Sequence, residues 1–191
     1  HQSLDSILAA GQRASELIAE IMQFSRRDTE GMSHLDLKQL LEESETLIRA
    51  SFQGLSISFD LESDLPTIHG NGTQLQRVLL NLCSNAAYAL DGHGKIMLKA
   101  KQQQLPADAQ LNNCQVPAGN YVQLSISDDG PVIDPEILPR IFEPFFTTKA
   151  QGQGTGIGLA TVYKTIESHL GYIDLASDSS GTTFTIYLPI S

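Results

Sequence analysis

At 191 residues the chain is long enough for one good core, or for one domain with an appendage. Hydrophobic residues make up 41% and charged residues 18%, the balance of a soluble globular protein, and no apolar run approaches the roughly 20 residues needed to span a bilayer. The 22 acidic against 12 basic residues give a net charge of -10, which speaks against a nucleic-acid platform and makes a polyanionic ligand costly unless metal, backbone N–H groups or a local cation offset it.

Residues 3–27 read as one helix. Ile7, Ala10, Ala14, Leu17, Ile21 and Phe24 step by three and four in a heptad-type seam, and Leu4, Leu8, Gly11 and Ile18 widen it to a bundle face. A helix this apolar needs a partner in water. Packing on its own domain is one reading; the regular seam favours a bundle with a second chain. "RRDTEGMS" (26–33) is a hinge, "HLDL" a short extended piece, and 37–50 an amphipathic helix. "LSISFDL" (55–61) alternates as a strand, "ESDLP" turns the chain, and "TIHG" is again extended. Thr73 is the expected N-cap of a helix over 74–90. The strand "GKIMLKAKQQ", a polar loop over 104–119 and the strand "NYVQLSIS" (120–127) follow. Residues 129–155 hold prolines and glycines with one short helical patch near 135–142, and so long an irregular stretch inside a domain is expected to be functional, often a lid. A helix over 156–169 and the strands "YIDLAS" and "TTFTIYLP" close the chain. The expected fold class is α/β: a two-layer sandwich, one mixed sheet covered by about three helices, preceded by one long helix.

Cys83 and Cys114 have neither metal-ligand spacing nor a disulfide framework, and none of the 5 histidines pairs at i, i+4. No protein-only metal site is expected, and a reducing cytoplasmic setting is. The glycine cluster "GQGTGIG" (152–158) is not a P-loop, because no Lys-Ser/Thr pair follows it, and it holds no G-x-G-x-x-G frame. It is a glycine run feeding a helix N-terminus, where free N–H groups favour an anion; taken alone it reads equally as a mobile loop. Asn81 and Asn85, at i and i+4, share a helix face beside the apolar Val78, Leu79, Leu82 and Ala86. An amide carbonyl is a hard oxygen of the kind Mg²⁺ accepts, while the bland reading bonds both amides to nearby backbone. "SISDDGPVI" (125–133) ends a strand in acids, where a carboxylate can accept a hydrogen bond, or simply turns.

Taken in order, Asn81-x-x-x-Asn85, Asp128-x-Gly130, "IFEPFFTTK" and "GTGIGLA" resemble the N, G1, F and G2 boxes of the ATP-binding domain of sensor histidine kinases. That domain has the Bergerat fold, shared with Hsp90, gyrase B and MutL. The resemblance runs from about residue 33 to 190, and "MQFSRR" resembles the close of the second dimerisation helix of such kinases. It implies a division into 1–30, a partial dimerisation helix, and 31–191, the catalytic domain. ATP and Mg²⁺ are the implied cofactors, with Asn85 as the metal ligand and Asn81 as a polar partner on the phosphate side. Asp128 would take the adenine amino group with Thr182 assisting through water, beside Gly130, Val132 and Ile133. Gly154, Thr155, Gly156 and Gly158 would wrap the phosphates, with Leu159 also at the ATP site, and Lys149 is the nearest lid cation. Phe142, Phe145 and Phe146 would anchor the lid by apolar contact. Gyrase-type ATPases tend to carry a Glu at the position of Asn81, so the amide favours γ-phosphoryl transfer to a protein acceptor over hydrolysis. No residue stands out as a certain catalytic group; Asn81 is the one candidate. The resemblance also implies a homodimer through the N-terminal helix, a response-regulator receiver domain as recipient, and no nucleic-acid or direct membrane contact by this segment, whose parent is expected in the cytoplasm or anchored to its membrane.

Two departures stand out. His1 begins "HQSLDS" without the acceptor motif of the family, so the chain, which opens without an initiator Met, is expected to be a piece of a longer protein and to lack its own phospho-acceptor. Val132 stands in "DDGPVI" where the family has a second glycine. A positive φ there would cost a β-branched residue roughly 1 to 3 kcal/mol and weaken ATP binding. The alternative function is therefore a degenerate, non-catalytic nucleotide-binding or dimerisation module.

Overall fold

The computed structural model describes residues 31–149 and 154–191; the helix expected over 3–27 and the centre of the glycine cluster lie outside the described residues. The chain enters through β1 (Ser33–Leu35), which pairs antiparallel with β3 (Ile68–Gly70) in a small two-stranded sheet. Between them run α1 (Leu37–Ser51) and β2 (Ser56–Leu61). Asp36 caps α1, its side chain accepting from Gln39 N at 3.0 Å, and Leu37, Leu40, Leu41, Ser44 and Ile48 turn one stripe of the helix inward.

α2 (Gly72–Ala89) begins two residues earlier than expected. Its cap is Asn71, whose side chain accepts from Gln74 N at 3.1 Å, and not Thr73, which lies within the first turn. Asn in extended backbone satisfies an orphan N–H as well as Thr does, and the flanking glycines do not prevent the helix from starting there. Leu75, Val78, Leu79, Leu82, Cys83 and Ala86 form its buried stripe.

β4 (Lys95–Leu105), β7 (Gly119–Asp128), β8 (Tyr172–Asp178) and β9 (Gly181–Pro189) join β2 in one five-stranded sheet of order β2-β4-β7-β9-β8. β2 runs parallel to β4 and the other pairs are antiparallel, so the sheet is mixed. The inward residues of β4, Ile96, Leu98 and Ala100, alternate with exposed Lys95, Met97 and Lys99, the period of a sheet wet on one side. α1, α2 and α3 (Gly158–Ser168) bury their stripes against that inner face, giving the two-layer α/β sandwich expected. Each fully buried Leu or Ile there, such as Leu41, Leu79, Ile126 and Ile186, contributes roughly 1.5–3 kcal/mol.

The opposite face carries hydroxyls, with Ser127 Oγ 2.9 Å from Thr183 Oγ1 across the β7–β9 pair. Part of it is covered by a hairpin of β5 (Ala109–Gln110) and β6 (Gln115–Val116), inside the span expected to be plain loop. Val116 packs with Tyr121 and Tyr187 in a small second core, and the buried Asp174 carboxylate fastens the hairpin by accepting from Asn112 Nδ2 and Asn113 N. Strands of two residues are too short to show a period, which is why the sequence hides them.

Candidate functional site

The antiparallel register places Asp128, the last residue of β7, opposite Thr182 near the start of β9. Gly181 makes that approach possible: its φ is +131°, and a Cβ there would overlap the Asp128 carbonyl. Sequence reasoning passed over Gly181, because only the strand register reveals what it faces. The two acids of "DDG" then divide. Asp129 Oδ1 accepts from Lys95 N at 2.7 Å and ties the turn to β4. Asp128 Oδ1 accepts from Gly130 N at 2.9 Å. Burial pushes the Asp128 carboxyl up from its ordinary pKa; the Gly130 N–H opposes that, the Asp129 charge adds to it, and the Thr182 N–H opposes it. Thr182 is buried, and its hydroxyl meets Ser177 Oγ at 2.9 Å. Ser177, also unremarked in the sequence, accepts from Ile133 N at 2.9 Å and so holds the loop after Gly130 onto β8.

Beside this strand end opens a cavity of about 520 Å³ between α2 and the segment 131–158. The helical repeat brings Asn81, Ser84, Asn85 and Tyr88 to one wall, opposite the buried stripe of α2. Val132, Ile133, Lys149, Gly154, Thr155, Gly156, Gly158 and Leu159, all expected at the site, line it as well. Asp128, Gly130, Phe142 and Thr182 are not among its lining residues. Asn81 Nδ2 donates to Gly158 O at 3.4 Å, joining α2 to the start of α3. Asn85 Oδ1 accepts from Lys149 Nζ at 3.2 Å, and the same ammonium lies 4.4 Å from the centroid of the Tyr88 ring. Burial lowers the pKa of Lys149. The first turn of α3 has no side-chain cap, so its leading N–H groups are open to an anion. Among the described residues no group of three His, Cys, Asp or Glu stands together to hold a metal ion. A divalent cation at Asn85 would therefore need oxygens supplied by a ligand, which suits a phosphate-bound Mg²⁺. The amide oxygen of Asn85 already accepts from a cationic group, so its donor chemistry fits.

The three phenylalanines do not behave alike. The Phe142 ring packs on Tyr163 at 5.4 Å and Phe184 at 6.4 Å, and Phe146 lies under the Arg140 guanidinium at 4.5 Å. Phe145, expected to anchor by apolar contact, is instead 64% exposed, with φ +67°. Its backbone does the holding: Phe145 N donates to Gly156 O at 2.9 Å, and Gly156, at φ +70°, has no room for a Cβ against the Phe145 backbone. Val132 corrects a second expectation. It is not among the residues with positive φ, so the strain anticipated for a β-branched side chain is absent, and its isopropyl group lines the cavity half exposed.

Residues 70–191, more than half of the chain, match the family described as histidine kinase-, DNA gyrase B-, and HSP90-like ATPase. The chain is 36% identical over 179 residues to sensor kinase CckA of Brucella abortus, covering 93% of this chain and 19% of that protein. It is 31% identical to sensor histidine kinase ZraS of Escherichia coli (strain K12), covering 100% of this chain and 38% of that protein. The chain thus spans well under half the length of these relatives. The catalytic domain of histidine kinase ThkA superposes with a TM-score of 0.67 at 27% identity, covering 84% of this chain and 97% of that one. With the mixed sheet, the three helices and the four motifs gathered at one end of them, the chain belongs to the histidine kinase-, DNA gyrase B- and HSP90-like ATPase family, as a catalytic ATP-binding domain of the sensor histidine kinase kind.

Proposed function

We propose that this chain binds ATP with Mg²⁺ and supplies its γ-phosphoryl group to a histidine on a dimerisation bundle. The observation that carries the reading is the convergence, on one cavity, of the Asn85 amide oxygen, the Lys149 ammonium and the uncapped start of α3. These provide a hard oxygen, a cation and free N–H groups within a chain of net charge -10, the three means of making a polyphosphate welcome. In this reading Asn85 holds Mg²⁺, which when bound screens the charge of the phosphates and polarises the transferred group. Asn81 fixes the start of α3 through Gly158. Gly154, Thr155, Gly156, Gly158 and Leu159 enclose the phosphates. Asp128 accepts from the adenine amino group with Thr182 behind it, and Gly130, Val132 and Ile133 form the base side.

Asn81 cannot act as a general base toward water, which favours transfer over hydrolysis. The non-catalytic alternative leaned on Val132, through backbone strain, which is absent, and through crowding of the base by its isopropyl group, which the Val132→Gly titration below reads. Residues 1–30 are assigned to the dimerisation helix and 31–191 to the catalytic domain, with a second copy of the chain and a response-regulator receiver domain as partners of the parent protein.

The test is calorimetric titration of ADP and a non-hydrolysable ATP analogue with Mg²⁺ on the chain, on Asp128→Ala and on Val132→Gly. Losing a hydrogen bond to a half-buried carboxylate is expected to weaken binding by about 10-fold or more in Asp128→Ala, and Val132→Gly is expected to stay within about 3-fold of the native chain. A chain that binds neither ligand, or an Asp128→Ala variant that binds as well as the native chain, overturns the reading.

A further inference from the structure

Lys149 is reached by two side chains one turn apart on α2. Its ammonium donates to Asn85 Oδ1 at 3.2 Å and lies 4.4 Å over the Tyr88 ring, at i and i+3 of the helix. The backbone also holds the residue in place. Lys149 N donates to Thr147 Oγ1 at 3.1 Å, and the bare Cα of Gly154 accommodates the lysine stem: a Cβ there would stand 2.8 Å from Lys149 Cδ and 3.1 Å from its Cβ. Among the described residues this is the cation that lines the cavity, and it sits on the same amide oxygen that the nucleotide-binding reading assigns to the metal.

We infer that Lys149 is an internal occupant of the Asn85 cation position, so that its ammonium and a nucleotide-bound Mg²⁺ exclude one another there. Three features make the exclusion physical. Mg²⁺ demands a compact octahedron of oxygens, and an ammonium nitrogen 3.2 Å from Asn85 Oδ1 crowds the shell that a metal on that oxygen must fill. Two cations on one oxygen repel at short range in a half-buried cavity. And the Tyr88 ring offers the ammonium a favourable face whether or not metal is near. Without metal, the lysine neutralises part of the phosphate charge itself. When Mg²⁺ enters with the nucleotide, the lysine ammonium must leave Asn85 Oδ1. This rests on the nucleotide-binding reading, and it separates Lys149 from a simple phosphate contact, which would act alongside the metal rather than against it.

The experiment is a two-by-two calorimetric titration of ADP, in EDTA and in excess Mg²⁺, on the native chain and on Lys149→Met. Competition predicts that Lys149→Met weakens ADP in EDTA about tenfold more than it does in Mg²⁺, so that the gain in affinity on adding Mg²⁺ grows by the same factor in the variant. Tyr88→Leu, which removes the ring but not the charge, is expected to shift the same ratio in the same direction by a smaller factor. A gain from Mg²⁺ that is equal in native chain and variant, or smaller in the variant, overturns the inference while leaving ATP binding intact. A native chain that binds ADP in neither buffer overturns the nucleotide reading itself, and this inference with it. Thermal melts of both variants confirm that the comparison is between folded proteins.

Discussion

Leu170 has φ +55° and is 77% exposed, one residue past the cap of α3. A left-handed backbone at that position is the ordinary way to end a helix, but it suits glycine, and leucine incurs roughly 1–2 kcal/mol for it. The exposed side chain recovers little of that by burial. Leu170→Gly is expected to raise stability by about 0.5–1 kcal/mol, the strain relieved less the greater freedom of glycine in the unfolded chain. Urea unfolding at neutral pH checks it, and a loss of stability instead would mean that the leucine makes contacts worth more than its strain. Much of the cavity's lining was legible at this scale: Asn81, Asn85, Lys149 and Gly156, singled out by residue type and spacing, all line it. What escaped was whatever depends on a neighbour distant in sequence. Gly181 matters because Asp128 lies across the ladder from the adjacent Thr182, Ser177 because Ile133 reaches it, and Val132 is unstrained because of a backbone angle no residue type dictates.

Helices α2 and α3 are joined at their far ends by one histidine. Asn71 N donates to His169 Nε2 at 3.0 Å, and the other ring nitrogen, Nδ1, lies 2.7 Å from Thr165 O. An acceptor at Nε2 and a donor at Nδ1 describe the neutral ring. Protonation would turn a second N–H against the Asn71 N–H at the very residue that caps α2. Burial lowers the pKa of His169; the Thr165 and Asn71 hydrogen bonds oppose this, and the nearby His69 adds to it. A folded-state value below the unfolded one means that the unfolded chain binds the proton more readily. The stability this contributes is complete above the ordinary histidine range and falls away as pH drops through it toward the lowered folded value. Between pH 7.5 and 5.5 the native chain is expected to lose stability more steeply than His169→Gln. The difference cannot exceed about 1.4 kcal/mol per pH unit, the limit for one proton. Parallel slopes in urea titrations across that range would remove His169 as the cause. Elements such as α1, α2 and β4 were readable in advance because each buries one face only, so burial writes its period into the sequence. The junctions between elements, this one included, leave no period. Nor does the β5–β6 hairpin, held by Asp174 from a strand some 60 residues away.

For the whole molecule, the order of four short motifs carried the family and the fold together, because residues from all four come to line one cavity. The described residues build a continuous core. Its main cluster runs from Leu37 to Leu188, and α1, α2, α3 and the five-stranded sheet each supply inward side chains to it. The apolar seam of residues 7–24 lies outside the described residues, and its sequence follows a heptad, the spacing of a surface that meets another helix. A chain of residues 31–191 is therefore expected to unfold in one cooperative step, to bind Mg²⁺·ADP within about 2-fold of the full chain, and to sediment as a monomer, while the full chain self-associates as its concentration rises. Analytical ultracentrifugation of both lengths, paired with the same calorimetry, reads all three. A shortened chain that melts broadly or aggregates would mean that the seam completes the domain's own core, the reading its regular spacing disfavours. A full chain that stays monomeric at high concentration would remove the bundle, and with it the assignment of residues 1–30 to dimerisation.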